Sequence, residues 1–116
     1  MLLNLSNHPS AHWPENQKNA ATVLFGEIKD LAFPQVEPVL DSLSLNLLVD
    51  EYVVRIANLN PDAVHIMGEM TFTYRLVRQL EKRHIRCIAS TTERVAEVRE
   101  GIKTSIFRFV QFRDYY

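Results

Sequence analysis

The sequence has a single cysteine, Cys87, and therefore no partner for a disulfide within the chain. Because unpaired thiols are typical of proteins kept in a reducing compartment, we expect a cytoplasmic protein. Cys87 stands in an apolar, strand-like segment, where a thiol behaves as a small hydrophobic side chain. A thiol-dependent activity is therefore disfavoured.

Long hydrophobic runs are also missing. No stretch approaches the roughly 18 apolar residues that a membrane-spanning helix needs. The N-terminus has neither the basic region nor the small-residue cleavage site of a signal peptide, and we expect it to enter a strand at once. With 116 residues, 47% of them hydrophobic and 23% charged, the composition predicts one globular domain over residues 1–116.

An excess of charge of either sign is missing too, since 13 Lys and Arg residues face 14 Asp and Glu residues. No overall field therefore attracts a long nucleic acid or an anionic membrane, and a bound anion must be held by local donors. Neither the dinucleotide-binding pattern G-x-G-x-x-G nor the P-loop pattern G-x-x-x-x-G-K-[ST] occurs. The G-x-S-x-G elbow required for a Ser-His-Asp triad is likewise missing.

What the sequence does contain is an alternation of strand-like and helix-like segments separated by turn residues. The predicted elements are a strand at 2–5, a helix at 14–25 closed by Gly26, an edge strand at 27–33, a helix capped by Asp41 or Ser42 and stopped at 60–62, a strand at 63–67, a helix capped by Thr71 that reaches His84, a strand at 85–89, and a hairpin of strands 95–99 and 102–113.

This order is β-α-β-α-β-α-β followed by a hairpin. It predicts an α/β protein with a three-layer, Rossmann-like, mainly parallel sheet and a C-terminal β-hairpin. Right-handed crossovers place the first, third and fourth strands side by side in the centre of that sheet.

Small polar residues follow three of the predicted parallel strands. These three tails are Ser6-Asn7-His8-Pro9-Ser10, Gly68-Glu69-Met70-Thr71 and Ser90-Thr91-Thr92-Glu93-Arg94. Because the carboxyl ends of parallel strands share one edge, where ligands bind in α/β sheets, the tails are expected to converge. Their hydroxyl, amide and imidazole groups favour a polar ligand that carries phosphate.

The first tail leads into a helix N-terminus, where free N–H groups and the helix dipole favour an anion. Asn7 and Ser10 are candidate contacts to that anion, and His8 or Trp13 is a candidate for stacking on a nucleobase. The alternative is a plain turn and helix cap. His8 and His12 stand four residues apart, but neighbouring prolines and the lack of a third ligand disfavour zinc.

In the second tail, Gly68 permits a ligand to approach the backbone closely. Thr71 and Thr73 offer hydroxyl groups to the same ligand. Glu69 would repel a phosphate, so we interpret it as an acceptor for a ribose hydroxyl or an adenine amine, or as a general base. The alternative is a carboxylate that stabilises the N-terminus of its own helix.

The third tail offers consecutive hydroxyl groups at Ser90, Thr91 and Thr92 and one fixed cation at Arg94. Arg94 can hold a phosphate through two N–H donors. Lys103, just beyond the predicted hairpin turn, is a further candidate if it folds back toward the same edge. The alternative is an ordinary polar turn.

Four segments of the chain carry a family resemblance. They are Leu-Leu-Asn-Leu-Ser-Asn-His-Pro-Ser at the start, Met-Gly-Glu-Met-Thr-Phe-Thr, Ala-Ser-Thr-Thr-Glu-Arg, and the ending Phe-Arg-Phe-Val-Gln-Phe-Arg-Asp-Tyr. Through them the chain resembles the small standalone CRISPR-associated proteins with a Rossmann-like, CARF-type fold. Some of those are ring nucleases, which degrade the cyclic oligoadenylate messengers of type III CRISPR systems.

The resemblance implies a homodimer whose two strand-end edges together hold a cyclic tetra- or hexa-adenylate. It also implies cleavage without a metal or other cofactor, in which a ribose 2′-hydroxyl attacks the adjacent phosphate and leaves a 2′,3′-cyclic phosphate. In that reaction Arg94, with Ser90 and Thr91, would stabilise the phosphoryl charge. His8 is the first candidate for proton transfer and Glu69 is the second.

Two other functions stay open at this point. One is a non-catalytic sensor or sponge that binds the same messenger without cutting it. The other is an interaction subunit that joins a larger assembly through the aromatic C-terminus, residues 107–116. That aromatic segment, or an adjacent helix, is also the candidate surface for the homodimer, because aromatic residues on both faces of a terminal strand exceed what a monomer of this size is expected to cover.

Overall fold

The computed structural model describes residues 1–116 as one five-stranded sheet with helices packed on both faces. Its elements are β1 (Leu2–Ser6), a 3₁₀ turn (Ser10–His12), α1 (Glu15–Phe25), β2 (Ile28–Asp30), α2 (Ser42–Leu59), β3 (Ala63–Met67), α3 (Met70–Lys82), β4 (Cys87–Arg99) and β5 (Ile102–Asp114). The strand order is β2-β1-β3-β4-β5; the first four strands are parallel and β5 is antiparallel to β4. The predicted fold class, central strand order and C-terminal hairpin are confirmed.

The two faces of the sheet differ in chemistry, because side chains alternate along each strand. One face is apolar along its whole length and packs against α2 and α3; its strand residues include Leu3, Leu5, Val64, Ile66 and Cys87. The other face, covered by α1, is apolar at the amino ends of the strands, at Leu2, Ala63 and Ile88. Toward the carboxyl ends this second face carries buried polar residues, so it is the face that can hold a site.

Side-chain caps fix where the two longer helices begin. The carboxylate of Asp41 accepts from the Ser44 N–H at 2.8 Å, which selects Asp41 from the two predicted caps of α2. For α3 the predicted cap, Thr71, is wrong: Glu69 accepts from the N–H groups of Thr71 and Phe72 at 3.0 and 2.8 Å. The carboxylate has two oxygens and reaches both free donors, as one hydroxyl cannot. None of the helices has the length and apolar character needed to cross a membrane.

The largest departure from the predicted elements is the length of the hairpin. Residues 90–94, predicted as a polar tail after a short strand, continue β4 and pair with β5. Hydroxyl-bearing, β-branched threonines suit a strand as well as a turn, and the partner strand satisfies their backbone. Glu100 and Gly101 form the turn with φ of 52° and 78°, the backbone of a two-residue hairpin loop.

A β-bulge interrupts the pairing of β4 with β5 just beyond Ser90. Thr91 lies opposite Gln111 but Thr92 lies opposite Phe109, so Val110 is the extra residue. The bulge changes the alternation along β5 so that the rings of Phe109 and Phe112 pack together, with centroids 5.0 Å apart. These rings form a wall on the α1 face.

Gly68, at the end of β3, lies directly beneath the ring of Phe33. A Cβ built on Gly68 would lie 2.2 Å from a ring carbon of Phe33. The close approach expected at this glycine is therefore made by a side chain of the protein itself, and the space that the missing Cβ leaves is filled.

We expect Gly68→Ala to lower the free energy of unfolding by about 1–3 kcal/mol, because the new methyl group overpacks this contact. Urea unfolding tests whether contact with the Phe33 ring causes this loss. The proteins compared are the wild type, Gly68→Ala, Phe33→Ala and the double variant. Most of the cost of Gly68→Ala should vanish in the Phe33→Ala background. An equal cost in both backgrounds would mean that the Phe33 ring is not responsible.

Candidate functional site

A cavity of about 430 Å³ opens at the carboxyl ends of β1 and β3 and beside Ser90 and Thr92 of β4, on the face covered by α1. Its polar lining consists of Ser6, His8, His12, Gln17, His65, Ser90 and Thr92. Its apolar wall consists of Trp13, Pro14, Met67, Phe107 and Phe109. The first and third predicted tails thus contribute to one cavity, whereas none of the residues in the second tail lines it.

A row of polar side chains crosses this face of the sheet from β2 to β4. Asn4 on β1 is in register with Asp30 on β2 and with His65 on β3. Asn4 Nδ2 donates to Asp30 Oδ1 at 2.8 Å, and Asn4 Oδ1 lies 3.0 Å from His65 Nδ1. His65 Nε2 lies 3.2 Å from Ser90 Oγ on β4. The row therefore ends in a hydroxyl group that lines the cavity.

Asn4 fixes the tautomer of His65. The amide nitrogen of Asn4 donates to the Asp30 carboxylate and, at 2.9 Å, to the main-chain oxygen of His8, so its oxygen faces His65. An amide oxygen only accepts, and His65 Nδ1 must therefore carry the proton while Nε2 accepts. Burial, with a smaller contribution from the charge of His8, lowers the pKa of His65 to about 4. At neutral pH His65 is an uncharged base.

The loop that follows β1 is held by the main-chain oxygen of His8. It accepts from the indole Nε1 of Trp13 at 3.1 Å as well as from Asn4. Farther along, Ser10 donates to Asp30 through its N–H at 3.1 Å and its hydroxyl at 2.9 Å. Burial acts against ionisation of Asp30, but the hydrogen bonds from Asn4 and Ser10 prevail and lower its pKa. The His8 and His12 side chains are left exposed at the cavity.

Trp13 is buried, with 5% of its surface exposed, although the sequence predicts it as a platform for a nucleobase. Its ring packs edge-on against His65 at a centroid distance of 5.0 Å, and against Phe112 at 6.3 Å. Trp13 therefore forms the wall of the cavity and covers the imidazole of His65.

The predicted residues of the second tail lie at the start of α3 and outside the cavity lining. Both Glu69 oxygens accept from Thr71, and the N–H groups of Phe72 and Thr71 lower the pKa of Glu69. This arrangement matches the alternative in which the carboxylate stabilises its own helix. Thr73 is buried, and its hydroxyl has no hydrogen-bond partner. Neither threonine hydroxyl reaches the cavity.

The two predicted cations also lie outside the lining. Arg94 is four residues beyond Ser90 on β4, about 13 Å along the strand, and its Nε donates to Ser105 Oγ at 3.1 Å. Lys103 pairs with Val98 next to the hairpin turn, about 26 Å along β4 from Ser90. The cavity is thus lined by no lysine or arginine.

Of the remaining predicted contacts, Thr92 lines the cavity and Asn7 and Thr91 do not. Asn7 is an exposed residue of the loop after β1. The Thr91 hydroxyl donates to the main-chain oxygen of Gln111 at 3.1 Å and bridges the strands beside the bulge. The predicted residues that the fold brings together are His8, Trp13, Ser90 and Thr92.

Sequence reasoning missed three members of the polar row, which are Asn4, Asp30 and His65. Asn4 and His65 stand inside otherwise apolar strands, and a buried polar group there costs free energy unless it is hydrogen-bonded. Two such residues on neighbouring parallel strands are the signal that could have found the row.

Chemically, the cavity combines a hydroxyl group hydrogen-bonded to a neutral imidazole with two exposed imidazoles. Such a set can transfer protons and can donate hydrogen bonds to an anion. No three His, Cys, Asp or Glu side chains lie close enough together to hold a metal ion.

The fold and the cavity define an α/β protein with a largely polar cavity at the edge of its parallel strands. The chain belongs to the family described as the uncharacterized protein MJ1673 family, whose model matches residues 1–113. No curated protein matches the chain, and no solved structure does.

We expect the stability of the protein to fall by about 2 kcal/mol between pH 7 and pH 5 on account of His65. The folded pKa of about 4 lies below the ordinary value of 6.5. Protonation therefore favours the unfolded chain, and stability is lost as the pH falls below 6.5 toward 4. Urea unfolding at the two pH values measures the difference.

His65→Gln removes this titrating group, and its stability should change much less between pH 7 and pH 5. The matched control is His84→Asn, because His84 is exposed and Asn tolerates its φ of 57°. This control should keep the wild-type decrease. The same decrease in His65→Gln would show that His65 is not the group responsible.

Proposed function

We propose that this protein is a ring nuclease that cleaves a cyclic oligoadenylate, in the first place cyclic tetra-adenylate, and so switches off type III CRISPR signalling. The observation that carries the proposal is the cavity in which the imidazoles of His8 and His12 meet the hydroxyl groups of Ser90 and Thr92. The choice of messenger rests on the family resemblance of the segments that supply His8, Ser90 and Thr92.

Cleavage by a ribose 2′-hydroxyl needs one group that removes its proton and another that protonates the leaving 5′-oxygen. His8 precedes the 3₁₀ turn and His12 is its last residue, and both are exposed at the cavity. An imidazole can accept or donate a proton, so each can serve as base or acid. We assign proton removal to His8 and proton donation to His12. Glu69 has no part in this mechanism, since its oxygens are engaged at α3.

Binding without cleavage is the second candidate function, and one observation favours it. The lining holds no fixed cation, although phosphoryl charge in a transition state is usually met by Arg, Lys or a metal ion. In a sensor or sponge, the hydroxyl groups and N–H donors of the cavity would hold the phosphates of an intact ring.

One experiment distinguishes these functions. The full chain is incubated in EDTA with cyclic tri-, tetra- or hexa-adenylate, and the products are separated by chromatography. A nuclease gives linear products with 2′,3′-cyclic phosphate ends, and it binds but does not cut a 2′-O-methyl ring. A sensor elutes with an intact ring. If no ring is bound or cut, both functions are excluded.

His8→Ala should slow cleavage about 10²-fold or more and leave binding of the ring largely unchanged, because it removes a proton-transfer group. His84→Asn, which changes an exposed histidine far from the cavity, is the matched control and should cleave at the wild-type rate. Wild-type cleavage by His8→Ala would remove His8 from the chemistry.

We also propose that the protein acts as a homodimer. A cavity of about 430 Å³ is at the small end of ligand sites, about 300–1,000 Å³, so one chain holds only part of a four-nucleotide ring. One face of the outer half of the β4–β5 hairpin carries exposed apolar side chains at Ile102 and Ile106, which are 64% and 44% exposed. A second copy that packs on this face would bring a second cavity into the assembly.

Light scattering at micromolar concentration should therefore give twice the 13.5 kDa mass of the chain. Ile106→Glu places a charge on the apolar surface without touching the cavity and should give the monomer. The control is Val39→Glu, since Val39 is 90% exposed and lies outside the hairpin. A wild-type mass of 13.5 kDa would exclude the dimer.

A further inference from the structure

We infer that Ser90 is a nucleophile, with His65 as its base and Asn4 and Asp30 as positioning residues, and that the cavity cleaves phosphate diesters through a covalent phosphoserine. This activity goes beyond the ring nuclease proposed above, because it needs no 2′-hydroxyl in the substrate. It is also independent of the messenger, since it rests on the polar row alone.

The first step of the argument is the direction of the Ser90 hydroxyl proton. Ser90 Oγ lies 3.2 Å from His65 Nε2 and 2.9 Å from Met67 Sδ. A thioether is a weak acceptor, whereas an unprotonated imidazole nitrogen is a strong one. Because Asn4 holds the proton of His65 on Nδ1, the Nε2 atom is the acceptor for the hydroxyl.

The second step is access. His65 is 2% exposed and is covered by Trp13, so only a small part of its ring at the cavity is open to a substrate. Ser90 is half-buried and lines the cavity. The row therefore communicates with a ligand through the Ser90 hydroxyl. A histidine buried only for stability would need no partner that opens onto a cavity.

The third step is the sheet around Ser90. The β-bulge at Val110 of β5 lies opposite the step from Thr91 to Thr92, one residue beyond Ser90, and bulges are common next to active sites. Ser90 and Thr92 point to the same face of β4 and both line the cavity. Thr92, His8 and His12 are the groups available to the phosphoryl oxygens of a diester.

The reaction balances without a metal or a redox partner. Ser90 Oγ bonds to phosphorus while its proton passes to His65 Nε2, and the bond from phosphorus to one ester oxygen breaks as that oxygen takes the proton. Water then attacks the phosphoserine and gives a proton to His65, which returns it to Ser90 Oγ as the phosphorus–Oγ bond breaks. The products are an alcohol and a phosphate monoester.

An alkyl fluorophosphonate, which phosphonylates activated serines, tests this inference on the full chain. Mass spectrometry should show one adduct per chain, located on Ser90 by peptide mapping. Ser90→Ala, which removes only a half-buried hydroxyl, should give no adduct. The labelling rate of His65→Gln should be lower by about 10²-fold or more, because the base is lost.

Ser44→Ala is the matched control, since Ser44 is an exposed serine in the first turn of α2, and it should react as the wild type does. Urea unfolding curves establish that each variant is folded. The inference is overturned if the wild type stays unlabelled under conditions in which the fluorophosphonate fully labels a serine hydrolase. It is also overturned if Ser90→Ala is still labelled, or if folded His65→Gln reacts at the wild-type rate.

The same preparations incubated with bis(4-nitrophenyl) phosphate, a diester with no 2′-hydroxyl, should release 4-nitrophenol from the wild type and none from Ser90→Ala. Equal release by both proteins would contradict the covalent route. A labelled Ser90 in a protein that cuts no cyclic oligoadenylate would exclude the ring nuclease and keep the nucleophile. An unlabelled Ser90 in a protein that cuts the ring would exclude the nucleophile and keep the ring nuclease.

Discussion

The hydrogen bond between Asn4 and His65 is the interaction on which the α1 face of the sheet depends. Both residues are buried, with 1% and 2% of their surfaces exposed, and without Asn4 the Nδ1 of His65 would have no hydrogen-bond partner. An orphaned buried donor or acceptor costs about 1–3 kcal/mol. The Asn4 amide also holds Asp30 and the main chain at His8. One side chain thus joins the edge strand, the central strands and the loop at the cavity.

The fold could be predicted from the sequence because its signals are local. Apolar periodicity and turn residues mark α1, α2 and β3 at nearly the observed bounds, and right-handed crossovers then settle the strand order. The prediction was wrong where a local signal fits two structures. Residues 90–94 suit a turn or a strand, and the choice is made by β5, which returns from later in the chain. Glu69 and Thr71 are both plausible caps, and the carboxylate reaches two donors.

The candidate site could be predicted only in part, for a related reason. His8 follows β1, and Ser90 and Thr92 stand where β4 passes the carboxyl ends of its parallel neighbours, so their convergence follows from the order of the strands. Asp30 and Asn4 become neighbours through the register of β1 with β2, which no short motif encodes. Glu69 lies outside the cavity lining, because its carboxylate accepts hydrogen bonds from Thr71 and Phe72 at the start of α3.

The polar row also determines the stage of folding at which the cavity acquires its assembled hydrogen-bonded side chains. Its hydrogen bonds join residues 26, 61 and 25 positions apart in the chain, from Asp30 to Asn4, from Asn4 to His65 and from His65 to Ser90. Contacts of such long sequence separation form late, because the chain must close large loops first. A chain emerging from the ribosome holds the first two strands long before residue 90 is made. Ser90 contacts His65 only when β4 has docked on β3. Unfinished and half-unfolded chains therefore lack the assembled row and the proposed reactivity of Ser90.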